Sequence, residues 1–109
     1  MSKTLKKYIP YLCMLHKSTP NARNALLKQH CSPEFVKCIC ECVKNVLVGN
    51  VTLSPEHKRR LTRHKRSLRK LTLKKTPLKE KKRIVQSGGF LGALLGPIVK
   101  VLSGLFGSS

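Results

Sequence analysis

At 109 residues the chain has room for one small domain with appendages, not for two full cores. Its 23 Lys and Arg against 4 Asp and Glu leave a net charge of +19, and a compact body with that charge repels itself unless a counter-charge is at hand. DNA, RNA, an anionic membrane face and an acidic protein are the candidate sources. No two carboxylates stand close enough in sequence for acid–base work, which points away from an enzyme, a cofactor and a small-molecule substrate.

The basic start, Met1 to Lys7, is followed by an apolar stretch, Tyr8 to Leu15, that is too short and too broken by Pro10 for a signal peptide. Without an export signal the five cysteines read as reduced thiols, and the expected location is nucleus or virion rather than secretion. Charge then divides the chain into three: a Cys-bearing helical region over 1–51, a basic segment over 52–87 and a Gly-rich tail over 88–109.

The first region carries two helix starts. Ser18-Thr19-Pro20 offers an N-cap followed by a proline that pre-sets the first helical residue, opening a helix over Asn21 to Gln29. Ser32-Pro33-Glu34 repeats the device and Gly49-Asn50 supplies a stop. Between them, Phe35, Val36, Ile39, Cys40, Val43, Val46 and Leu47 share one arc at 100° per residue, opposite Lys37, Glu41, Lys44 and Asn45. This is a core helix, with Tyr8, Ile9, Tyr11, Leu12, Leu15, Leu26 and Leu27 as its expected partners. A core built from about 50 residues is thin. Cys38, Cys40 and Cys42, with Cys31, Cys13, His16 and His30, lack the two-residue knuckle spacing of a zinc site and read as small buried hydrophobes.

Leu53-Ser54-Pro55-Glu56 is a third start, and nothing after it breaks a helix before about Leu73. Leu61, Leu68 and Leu71 make one narrow apolar seam on this long basic helix. Thr76-Pro77 starts a further cationic helix over Leu78 to Val85. Fourteen of the 23 cations fall between Ser54 and Arg83, against Glu56 and Glu80. A solvated helix face normally mixes signs, and this one does not. The expected polyanion ligands are therefore Lys58, Arg59, Arg60, Arg63, Lys65, Arg66, Arg69, Lys70, Lys74, Lys75, Lys81, Lys82 and Arg83. No aromatic residue lies among them to stack on bases. Phosphate contacts confer affinity without sequence readout, so packaging or condensation of DNA, with RNA as the alternative polyanion, fits better than sequence-specific regulation.

In the tail, Phe90, Leu91, Leu94, Leu95, Ile98, Val101, Leu102 and Leu105 lie on one half of a helical projection, opposite Gly92, Gly96, Lys100, Ser103 and Gly104. The arc of Gly and Lys does not suit a transmembrane span. Two uses remain: an interfacial helix on an anionic membrane, ordered on binding, or a face packed on the N-terminal helices to complete their thin core.

The order of parts, basic segment, Gly-Gly and apolar Gly/Pro tail, resembles the precursors of the adenovirus core peptide mu (protein X). It resembles more closely the X-type proteins of polintons and adintoviruses. The similarity rests on Asn45-Val-Leu-Val-Gly-Asn-Val-Thr-Leu-Ser-Pro55, on the basic Lys58 to Lys70 and on Gln86-Ser-Gly-Gly-Phe-Leu91, within about Phe35 to Leu95. It implies a virion protein that condenses the DNA genome, with a tail active on membranes during cell penetration. In adenovirus the Gly-Gly is cut by a maturation protease that wants Met, Ile or Leu four residues before the cut; here Gln86 stands there. The reading as a whole is an all-α protein: a small helical domain, a long basic helix and a semi-independent amphipathic C-terminal helix. The competing functions are a membrane-active peptide with a basic carrier and a nuclear helix-turn-helix regulator using Asn21 to Val48.

Overall fold

The start signals are built as capped turns in the computed structural model, which describes residues 3–49, 51–87 and 89–105, and side chains as far as residue 101. Seven helices and no strand occur among the described residues: α1 Lys3–Lys17, α2 Pro20–Gln29, α3 Pro33–Leu47, α4 Pro55–Thr62, α5 Lys65–Thr72, α6 Leu78–Ser87 and α7 Leu91–Leu105. Thr19 Oγ1 accepts from Ala22 N at 3.2 Å, Ser32 Oγ from Phe35 N at 3.1 Å and Ser54 Oγ from His57 N at 3.2 Å. Each is followed by proline at the first helical position, where the missing N–H is no loss. Gly49 ends α3 with φ +85°, a left-handed conformation that a side chain disfavours.

Pro10 does not break α1. The helix runs through it with the ring on the exposed side, and Leu5, Leu12 and Leu15 are buried beneath. Tyr8 and Tyr11 meet Phe35 of α3 edge to face, at centroid separations of 5.3 and 5.0 Å. Tyr11 Oη donates to the His30 carbonyl at 3.0 Å, tying α1 to the end of α2. The core helix is α3, whose Phe35, Val36, Cys38, Ile39, Cys42, Val43 and Val46 are buried against α1, α5 and α6.

Two expectations are corrected. The long basic helix is two helices, α4 and α5, interrupted at Arg63–His64. A straight helix from Pro55 to Thr72 would set Arg59 above Arg63 and Lys65 above Arg69, like charges one turn apart. It would also hold Leu61, Leu68 and Leu71 in one line. With the break, α4 packs on α7 while α5 packs on α3 and α6, and all three leucines are buried.

The C-terminal helix is not semi-independent. Phe90, Leu91, Leu94, Leu95 and Ile98 are at most 4% exposed, in the same apolar cluster as Leu12, Leu27, Phe35 and Leu71. That cluster draws on all three sequence regions, so the thin N-terminal core is completed by α7, which packs chiefly on α1 and α4.

Candidate nucleic-acid interface

Of the thirteen cations expected to meet a polyanion, twelve are exposed and Lys81 is half-buried beside Cys40. Leu61 holds α4, Leu68 and Leu71 hold α5, and Val85 holds α6, so the Lys and Arg stems on these helices radiate from anchored backbones. Lys70 is drawn to an acid on this segment, with Nζ 3.3 Å from Glu80 Oε1. Glu34 is engaged by Lys7 at 2.7 Å, and that carboxylate raises the Lys7 ammonium above its ordinary range, first by hydrogen bonding and then by charge. Glu56 lies in the first turn of α4, where the helix dipole favours it.

Because α4 and α5 diverge, the cations do not form one stripe. Lys58, Lys65 and Arg69 rim a groove of about 390 Å³ floored by Val46, Leu53, Leu61 and Leu68. Lys82 borders a larger concavity, about 690 Å³, with Tyr8, Tyr11, Phe35 and Lys28. Arg60 and Arg63 turn toward α2 and α7 instead. There they share a cavity of about 400 Å³ with Arg23, Asn24, His64, Gly89 and Gly92. Arg59, Arg66, Lys74, Lys75 and Arg83 stand on open surface.

Arg23 is the residue that reading the basic run alone overlooks. It precedes that run, yet it is half-buried, and its Nε donates to the Leu15 carbonyl at 3.1 Å while Nη2 donates to the Ser18 carbonyl at 3.3 Å. A signal was available: Arg23 is the lone arginine among the lysines that precede the basic segment, and a planar five-donor fork suits fixed geometry where lysine does not.

The residues expected to meet a membrane are placed otherwise. Phe90, Leu91, Leu94, Leu95 and Ile98 face the core and Val101 is half-buried against it, so in the folded chain this face is already occupied by protein. Leu102 and Leu105 lie outside the residues whose side chains are described. No single helix among the described residues is long and apolar enough to cross a membrane. On α3 the exposed residues are Pro33, Glu34, Lys37, Lys44 and Leu47, a strip of mixed sign.

All five cysteines are free thiols, and no group of three or more metal-ligating side chains occurs among the described residues. A hydrogen bond to Cys38 and burial push the Cys42 thiol strongly up. Burial also raises Cys31 and Cys40, against the opposing pull of Lys82 and Lys81 respectively. No protein-family model matches the chain, and no curated protein or solved structure shows significant similarity to it.

Proposed function

We propose that this chain binds duplex DNA without sequence readout and compacts it by neutralising phosphates. The observation that supports this best is the gathering of twelve exposed cations on and between α4, α5 and α6 with almost no acid among them. Arg and Lys at such density release condensed counterions from a duplex. The basic helices carry no aromatic side chain to stack on bases. Divergence of α4 and α5 suits condensation, because cations pointing in different directions engage more than one duplex segment. The similarity to mu/X-type core precursors supports a virion core or nuclear setting, and the role is one of binding rather than catalysis.

The test is the salt dependence of binding to unrelated duplexes. If five to seven cations meet phosphates at once, the log–log slope of affinity against salt is about −5 to −6, equal for every sequence. A shallow slope, or failure of unrelated DNA to compete, contradicts the reading. An A-form RNA duplex competitor of equal length separates DNA from RNA as the preferred polyanion.

A further inference from the structure

The break between α4 and α5 does more than release strain. Arg63 follows the last residue of α4 and His64 precedes the first of α5, so the interruption turns Arg63 into the 400 Å³ cavity together with Arg60. Arg23 enters from α2 on the far side. Its Nε and Nη2 are committed to the carbonyls that end α1, which leaves the rest of the fork fixed in position rather than sweeping through solvent.

Gly92, in the first turn of α7, permits this approach: a Cβ there would stand 3.0 Å from Arg23 Nη1. A Cβ at this position would require the guanidinium to give by a few tenths of an ångström. Three guanidiniums thus converge on one cavity, and no carboxylate lines it among the described residues. Glu34 and Glu80 are paired elsewhere, Glu56 sits at the α4 start and Glu41 lies on α3. Like charges gathered without an acid raise each other's energy until an anion joins them. An arginine fork matches a tetrahedral oxyanion with two parallel hydrogen bonds.

We propose that Arg23, Arg60 and Arg63 form a phosphate pocket, and that it seats one backbone phosphate of the bound duplex. This rests on the DNA-binding reading and deepens it: one contact is built and directional, while the remaining cations supply diffuse attraction. Arg23 is the pre-positioned donor, and Arg60 and Arg63, both exposed, close on the phosphate from α4.

The experiment uses the full chain in two variants of equal charge, Arg60→Gln/Arg63→Gln in the pocket and Lys74→Gln/Lys75→Gln outside it. Both pairs are exposed, so circular dichroism should show both variants folded. Duplex affinity should fall about tenfold further in the pocket variant than in the control. Inorganic phosphate, against chloride at matched ionic strength, should raise Tm by roughly 5 °C in wild type and control, and by much less in the pocket variant. Equal affinity losses with equal phosphate effects overturn the pocket and leave diffuse DNA binding standing. Failure of the wild type to bind any duplex sinks the DNA reading. If the phosphate-induced Tm rise is then still lost only in the pocket variant, the site stands as one for a free phosphate ester, and the backbone assignment falls.

Discussion

Cys31, Cys40 and Cys42 are held as neutral thiols by the fold, each for a nameable reason. Burial acts on Cys31 and Cys40, and the hydrogen bond to Cys38 acts first on Cys42. Their ordinary value is 9.0, so above that pH the unfolded chain loses these protons while the folded chain keeps them. Groups raised on folding contribute stability that is fully present below the unfolded value and is lost as pH climbs past it. The urea midpoint should therefore fall between pH 8 and pH 9.5 in the wild type. It should fall less in Cys31→Ala/Cys40→Ala, which lacks two of the three groups. Equal slopes in the two proteins would show that these thiols do not titrate with unfolding. Within the cysteine cluster, Cys38 and Cys42 face the core and each other, and Cys40 lies toward Lys81.

Among the helices, α7 is the one whose role changes most between sequence and structure. Its apolar half reads equally well as a lipid face or a protein face, because both environments reward burial of the same leucines. As far as Val101 the structure assigns that half to the core, and the glycine half, which reads as the solvent side, lies against cationic and imidazole side chains at Gly92 and Gly96. Gly92 faces Arg23, and a Cβ at Gly96 would lie 3.7 Å from His57 Nε2. Leu94 is 1% exposed at the middle of the buried face. Leu94→Ala should cost about 2–5 kcal/mol of stability, measured by urea unfolding, and the loss should appear across all helices in one transition. Duplex affinity should persist under conditions where the variant is folded, since none of the cations proposed to meet DNA lies on that face. A Leu94→Ala protein with unchanged stability would return α7 to the status of a detachable tail.

At the scale of the whole molecule, a charge of +19 is spread on a body with a radius of gyration of 13.0 Å. Cations on such a body lie within one Debye length of many others, about 30 Å at 0.01 M salt and 8 Å at 0.15 M. Self-repulsion is therefore a large term at low salt, and the surface ion pairs Lys7–Glu34 and Lys70–Glu80 are too exposed to offset it. Raising sodium chloride from 10 to 150 mM should raise Tm, about 10 mM being the regime of unscreened repulsion. A protein held together by surface ion pairs would respond in the opposite sense. On the proposed function the polyanion would also relieve this repulsion: duplex DNA that bound only the folded chain would stabilise it by mass action.

The helix starts at Thr19-Pro20, Ser32-Pro33 and Ser54-Pro55, the stop at Gly49, the amphipathic α3 and the concentration of cations after Ser54 were all determined by the sequence itself. Each is a local matter: a cap bonds three residues on, proline sets its own φ, and periodicity needs one helix. Local order did not determine that α1 runs through Pro10, that the basic helix breaks at Arg63–His64, that α7 closes the core or that Arg23 joins Arg60 and Arg63. Those outcomes depend on which apolar face meets which. A thin N-terminal core leaves Leu12 and Leu15 short of partners, and only the packed chain shows that α7 packs on the helix that carries them. Once it does, its glycine side brings α2 and α4 together, and guanidiniums far apart in sequence come to share one cavity.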